Sequence, residues 1–481
     1  MHWCPFCRFL AVGTAGVSLL TASCASFEKN ARRSSEAREQ ANPLPVAGGG
    51  IALLVLRSTA VATVKQPVTT LRTGGALALN RTRELIRSNI PLDRVPRELP
   101  PYAPGSDEFE RALERNGCRR IGLGTIRPLV DGREFFPAYL NEIKKATQSV
   151  DTQLYIFDND DTSVRCADLL RARSNEVRVR VLFDDLGTTM SHAAAPETPG
   201  PRGFTPPVDI AEYLSKGSNV HVRRSLNPWL VSDHTKLIVI DRKRAFLGGM
   251  NIGREYESEW HDLMVQVDGP VVEQLQRQFN RAWRKAGPGG DLALFRAPPR
   301  QRPVTGEGVP LRILRTDPAE GTYEILKAFR LAIRASKKRI WIENPYFSND
   351  DIADELIAAA RRGVDVRVIF PTRGDSGLME AGNRATAQSL MAAGAKVMRY
   401  PGMTHLKIMI CDDWATLGSA NLDVLSLRIN SELNLAFNDP ASVRVLEKRI
   451  FETDFRKSRP FHFSEVDRPI NPLAEAVADH F

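Results

Sequence analysis

The chain writes one pattern twice. His234, Lys236 and Asp241 stand in the spacing H-x-K-x4-D, and His405, Lys407 and Asp412 repeat that spacing 171 residues further on. Each copy is followed by a small-residue turn ending in asparagine, Gly248-Gly249-Met250-Asn251 and Gly418-Ser419-Ala420-Asn421, with one residue fewer between aspartate and glycine in the second copy. Such a repeat requires two similar folding units rather than one irregular body.

The surroundings repeat as well. Phe136, Tyr139, Leu140 and Ile143 form a helical apolar stripe, followed by a strand-like Gln153 to Phe157, an Asn159-Asp160-Asp161 turn, a helix and a strand from Val177 to Phe183. Ile325, Leu326, Phe329 and Ile333, then Arg339 to Glu343, Asn349-Asp350-Asp351, and Val364 to Phe370 run in the same order. Helices alternating with strands predict an α/β protein with a largely buried mixed or parallel sheet in each half. The two NDD turns read as helix caps. The expected division is a leader over 1–24, an N-terminal arm of unassigned role over 25–118, a first half over 119–296, a Pro/Gly/Arg-rich linker over 297–310 and a second half over 311–470.

Leu237 to Ile240 and Ile408 to Cys411 are short apolar runs, so each motif sits on a buried strand, where histidine and lysine two residues apart share a face. A lone histidine there is ordinarily a core residue and a lone lysine ordinarily reaches for solvent. Two such pairs, each with an asparagine-bearing glycine turn, point instead to a phosphodiester site. One imidazole attacks phosphorus, the other protonates the leaving oxygen, and ammonium and amide groups neutralise the remaining oxygens. No metal or other cofactor is needed, and no third ligand is spaced to complete a zinc set.

Composition adds two constraints. The net charge of +9 in 481 residues favours an anionic partner. Cys4, Cys7 and Cys24 precede only Cys118, Cys166 and Cys411, which is no disulfide framework. Arg8, the apolar stretch from Phe9 to Leu20, and Leu20-Thr21-Ala22-Ser23-Cys24 read as an export signal ending in a lipoprotein-like box, with Cys24 as the acylated residue; an uncleaved N-terminal anchor is the alternative.

The double motif and the repeat resemble the phospholipase D superfamily. ENPYFSNDD from Glu343 to Asp351, RRGVDVRVIFP from Arg361 to Pro371, GSANLDVLSLRINSELNL from Gly418 to Leu435 and GGMNIGREY from Gly248 to Tyr256 are similar to bacterial cardiolipin synthases. The resemblance implies two pseudo-symmetric α/β/α sandwich halves with one active site at their interface. It implies His234 and His405 as nucleophile and general acid within a catalytic set completed by Lys236, Lys407, Asp241 and Asp412, the aspartates acting as structural supports. Lys236, Lys407, Asn251, Ser419 and Asn421 are the expected phosphate ligands. A downstream carboxylate orients each histidine, Glu432 in the second half and Asp262 in the first, with Glu259 as the competitor for Asp262. The implied reaction is phosphatidyl transfer forming cardiolipin from phosphatidylglycerol at a bacterial membrane, with anionic phospholipid rather than nucleic acid as partner. Phospholipid hydrolysis, a metal-independent nuclease of the same superfamily and a catalytically silent membrane lipoprotein are the rivals.

Overall fold

The computed structural model describes residues 48–89, 99–192, 198–293, 307–374 and 377–462. The leader with Cys24, most of the expected linker and the segment after 462 lie outside them.

The first half contributes seven strands: β1 (Arg120–Val130), β2 (Ser149–Leu154), β3 (Arg178–Asp184), β4 (His221–Ser225), β5 (Leu237–Ile240), β6 (Arg244–Gly248) and β7 (Leu263–Asp268). The second contributes β8 (Val309–Asp317), β9 (Thr322–Tyr323), β10 (Arg339–Glu343), β11 (Asp365–Pro371), β12 (Lys396–Tyr400), β13 (Ile408–Cys411), β14 (Trp414–Gly418), β15 (Glu432–Phe437) and β16 (Arg459–Pro460). Spatial order in the first half is β1-β7-β6-β5-β2-β3-β4, and in the second β8-β15-β14-β13-β10-β11-β12-β16. The two orders match strand for strand over seven positions, and the second half adds β16 at its outer edge. β2, β3 and β4 run parallel, as do β10, β11 and β12, whereas the motif strands β5 and β13 join antiparallel.

The two sheets are not separate. β1 pairs antiparallel with β8, so both halves share one continuous hydrogen-bonded sheet. Gly122 and Gly124 of β1 allow this seam to pack closely, because a Cβ at either would come within 2.8 Å of Val271 atoms on the helix Val271–Lys285. Two apolar cores lie under the outer helices, one per half. A third core draws Leu237, Val239 and Leu275 from the first half and Leu406, Ile408 and Leu435 from the second. The expected stripe Ile325, Leu326, Phe329 and Ile333 lies buried along the helix Glu324–Ala335, each side chain contributing about 1.5–3 kcal/mol on burial.

Two of the expected boundaries shift. The helix Asp107–Arg115, placed by sequence in the N-terminal arm, packs Phe109 and Leu113 into the second half's core, with Phe109 edge-on to Trp414. Val309 and Pro310, placed in the linker, already belong to β8. The NDD turns do cap helices: Asp160 accepts from the Ser163 amide at 2.8 Å and Asn349 from that of Ile352 at 3.1 Å.

The motif aspartates occupy the hairpins after β5 and β13, at positive φ of 53° for Asp241 and 49° for Asp412, a region that aspartate enters more readily than most residues. Each carboxylate gathers neighbouring backbone amides. Asp241 accepts from Thr147, Gln148 and Ser149, and Asp412 from Lys337, Lys338 and Arg339, so each turn is pinned to the entry of the strand beside it. The residue missing from the second copy is lost here, since three residues link β5 to β6 and two link β13 to β14. Replacing Asp412, which is 1% exposed, with alanine leaves three amides without their charged acceptor and is expected to cost roughly 3 kcal/mol in urea denaturation. Asp241→Ala, at a better hydrated turn, should cost less.

Candidate active site

His234, Lys236, His405 and Lys407 meet where the halves face each other. Two short parallel bridges cross the boundary, Asp233 with Ser431 and His261 with Thr404. The His234 amide donates to the Ser431 carbonyl at 2.9 Å, and the His405 amide to the His261 carbonyl at 2.7 Å. These contacts slide the carboxylate of one half beneath the histidine of the other. His234 Nδ1 lies 2.9 and 3.1 Å from the two oxygens of Glu432, and His405 Nδ1 lies 2.7 Å from Asp262 Oδ2. The sequence identified both carboxylates by their place in the repeat; the structure shows that the pairing is exchanged between halves. Glu259, the competitor for Asp262, instead accepts from Thr198.

A single turn of π-helix precedes each carboxylate, Glu255–Glu259 and Leu425–Ile429. The widened turn is closed by Trp260 donating to the Glu255 carbonyl and Asn430 to that of Leu425. It delivers Asp262 and Glu432 to the ends of β7 and β15, both buried.

Lys236 and Lys407 are 1% and 3% exposed, and each donates to the carbonyl of its own motif histidine, at 2.8 and 2.7 Å. Burial, followed by the charges of both lysines, holds the imidazoles of His234 and His405 well below their usual range. Burial also pulls Lys236 down to about 7 and pushes Asp262 and Glu432 up to about 7. The largest cause of each of these shifts is the same, the cost of placing charge in a closed site. Because Nδ1 of each ring faces a carboxylate, it carries the proton, and Nε2 is the nitrogen offered to a substrate.

The other expected ligands divide. Asn251 accepts from the Ile156 amide and spends one amide hydrogen on the Tyr256 hydroxyl at 2.9 Å, leaving a second for an anion. Asn421 is 5% exposed and its Oδ1 accepts no hydrogen bond from the described residues. Ser419 does not fit the phosphate role expected of it: its hydroxyl donates to Glu432 and accepts from the Leu433 amide, so it buttresses the carboxylate. The first half has Gly249 in the corresponding place, where a Cβ would stand 2.2 Å from Asp262 Oδ1. Reading from sequence passed over the aromatic walls, Tyr155 edge-on to His234 at 4.7 Å and Tyr256 and Trp260 against His405. The Tyr256 ring closes a resemblance motif and Trp260 follows four residues later, but nothing in their spacing shows that they pack on the second half's histidine.

Also missed was a buried ionic cluster behind His405. His261 places Nδ1 on Asp131 and Nε2 3.0 Å from Asp454 Oδ2, with Tyr400 stacked on its ring at 4.6 Å and Glu343 nearby. Burial opposes charge on this imidazole, but the hydrogen bonds to Asp131 and Asp454 outweigh it and push His261 up to about 10. Asp131 moves the other way, its burial outweighed by the hydrogen bond from His261. Glu343 is pushed up to about 8 by burial and then by Asp454, which keeps it neutral near pH 7. His261, Glu343 and Asp454 have metal-ligating side chains close together, yet both His261 nitrogens already serve carboxylates, and an imidazolium clamped between them fits better than an ion. No metal is assigned there. His261→Ala should cost about 3–5 kcal/mol, the cost of stripping one partner from a buried charge network. With the folded value raised from 6.5 to about 10, that stabilisation is complete below about pH 6.5 and is lost as pH rises towards 10. On the acid side, the lowered Asp131 loses its share as pH falls below its ordinary 3.8. Urea melts of both proteins across this range measure the difference.

The family described as "Cardiolipin synthase, PLD-like domain" matches residues 139–283 and 330–454, one segment in each half. Cardiolipin synthase A of Pseudomonas fluorescens is 33% identical over 366 residues, covering 72% of this chain and 71% of that protein. Cardiolipin synthase A of Pseudomonas syringae pv. syringae is 31% identical over 389 residues, covering 76% and 77%. Among solved structures, phosphatidylserine synthase of Haemophilus influenzae superposes with a TM-score of 0.58 at 15% identity, covering 77% of this chain and 96% of that one, a likeness of fold. The paired motif, the strand-for-strand repeat and these matches agree: the chain belongs to the phospholipase D superfamily, among its cardiolipin synthase-like members.

Proposed function

We propose that this enzyme is a phosphatidyltransferase that forms cardiolipin from two molecules of phosphatidylglycerol through a phosphatidyl-histidine. The observation that carries the reading is the pair of crossed histidine–carboxylate couples flanked by two buried lysines, in a chain whose relatives are cardiolipin synthases.

In the first step Nε2 of His234 attacks phosphorus, forming an N–P bond while the P–O bond to the glycerol headgroup breaks; His405, protonated, gives its proton to the departing oxygen. His405, now neutral, takes the proton from a hydroxyl of the second phosphatidylglycerol. That oxygen attacks phosphorus and the N–P bond breaks, returning His234. Assigning attack to His234 follows the first-motif assignment that the resemblance implies. Lys236, Lys407, Asn251 and Asn421 surround the phosphoryl oxygens. Both imidazoles are held neutral by burial and the lysine charges, so the incoming phosphodiester anion itself supplies the field that lets His405 gain a proton. Water in place of the second lipid gives phosphatidic acid by the same steps.

Incubating the purified protein with phosphatidylglycerol in EDTA and weighing the products tests the assignment: cardiolipin and glycerol are expected, and phosphatidic acid alone would make it a hydrolase. His234→Ala and His405→Ala should each lower turnover by at least roughly 10³-fold with the melting temperature kept, and Lys236→Met or Lys407→Met by a similar factor. In His405→Ala, denaturing mass spectrometry after brief exposure to lipid should find a phosphatidyl adduct on His234. Net inversion at a chiral phosphorothioate would exclude the two-step route.

We also place the enzyme at a bacterial membrane through an acylated Cys24. Cys24→Ser should abolish the lipid mass increment and shift the protein in fractionation; an unchanged mass removes the anchor.

A further inference from the structure

In the helical hairpin formed by Gly48–Lys65 and Pro67–Asn89, the described side chains reverse the usual arrangement of a soluble helix. Soluble helices turn apolar residues inward and polar ones outward. Here Gln66, Thr69, Thr70, Thr73 and Asn80 are buried, while Leu56, Val64, Leu71 and Leu79 are 68% to 85% exposed. The buried polar groups dock the hairpin across both halves. The Val68 and Thr69 amides donate to Asp291 in the first half, and Asn80 donates to the Arg428 carbonyl in the second at 3.0 Å.

The loops beneath it extend the same face. Among the described residues, nine large apolar side chains are exposed; four lie on the hairpin, and Val208, Trp229 and Leu292 lie on loops that adjoin it. Trp229 and Leu230 take consecutive positive φ values of 58° and 65°, a conformation costing bulky residues about 1–3 kcal/mol each. The hairpin holds that turn in place: Trp229 donates its amide to Thr59 and its indole N–H to the Thr70 carbonyl at 2.9 Å, yet the ring stays 47% exposed. A half-exposed indole with its polar edge satisfied is suited to the boundary between water and lipid.

Charge identifies the occupant. From residue 48 to 83 the sequence contains five basic residues, Arg57, Lys65, Arg72, Arg81 and Arg83, and no acidic one. Beside the first helix, Arg57, Lys65 and Arg223 line a cavity of about 760 Å³ with Val61 and Val208, while the charge of Arg224 in its wall is balanced by Asp185 and Asp209. Its wall at Thr188 bonds to the backbone of Phe157 and Tyr155, and the Tyr155 ring lies against His234. Basic side chains around an exposed apolar face are the pattern of a helix lying in the plane of an anionic lipid surface.

We propose that this hairpin, with Trp229 and Leu292, is the surface by which the enzyme docks on an anionic phospholipid bilayer. The proposal deepens the phosphatidyltransferase reading by naming the membrane-facing side, and it is tested by binding, which needs no turnover. The probe is the full chain carrying Cys24→Ser, so that no acyl chain contributes. It is sedimented with vesicles of phosphatidylcholine alone and of phosphatidylcholine mixed equally with phosphatidylglycerol.

The parent should bind the mixed vesicles far better than the neutral ones. Val64→Ser/Leu71→Ser/Leu79→Ser should weaken that binding by on the order of 100-fold, since each removes an apolar side chain that would enter the lipid. Arg57→Gln/Lys65→Gln/Arg72→Gln should weaken it by on the order of 10- to 100-fold, and added salt should weaken the parent likewise. Turnover of both variants on monomeric short-chain phosphatidylglycerol should stay within about twofold of the parent, at an unchanged melting temperature. A parent that ignores mixed vesicles, or prefers neither kind, overturns the proposal, as do variants that bind like the parent or lose turnover on monomeric lipid. A parent that binds as expected but turns over no lipid leaves the docking surface standing and removes the proposed reaction.

Discussion

Everything in this site depends on two short backbone crossings. His234 and His405 each hang an amide on the carbonyl of the residue beside the other half's carboxylate, at Ser431 and His261. Those hydrogen bonds, 2.9 and 2.7 Å long, set the position of each imidazole relative to Glu432 and Asp262. Neither half can orient its own histidine. The halves therefore share one sheet through β1 and β8 and one central core, since a boundary that slipped by a fraction of an ångström would unpair both couples at once.

The same closure explains the electrostatics. In a site that buries two ammonium groups, two imidazoles and two carboxylates together, Lys236, both imidazoles and both carboxylates shift in the directions that reduce charge. An anion entering such a site would favour the charged forms of the lysines and imidazoles, and a phosphodiester is such a group. The pseudo-symmetry is not complete. Ser419 supports Glu432 where Gly249 makes room for Asp262, and the imidazolium of His261 stands behind His405 where the other half has Ser431. The two histidines thus sit in different fields, which suits the two different roles that the proposed reaction gives them.

The N-terminal hairpin follows a different logic from the catalytic body. Among the described side chains its buried face is largely polar and hydrogen-bonded, so it docks by specific polar contacts and presents Leu56, Leu71 and Leu79 outward. The three apolar cores of the catalytic body draw no described residue from this hairpin. An enzyme whose substrates lie in a bilayer has a use for it.

The repeat, the buried motif strands, the capped NDD turns and the shared face of each motif's histidine and lysine were legible in the sequence, because each is carried by residues close together along the chain or offset by a constant 170 or 171. Period-two alternation puts His234 beside Lys236 whatever the rest of the molecule does. Tertiary structure decided what depends on distant segments meeting. It exchanged the carboxylates between halves, turned Ser419 from phosphate ligand to buttress, moved Phe109 and Leu113 into the second half's core and gathered Asp131, His261, Glu343 and Asp454 behind His405. It also decided that Leu56, Leu71 and Leu79 of the hairpin face outward, in an arm to which the sequence assigned no role. Local sequence sets which face of an element is apolar, and only packing against the rest of the chain sets which way that face points.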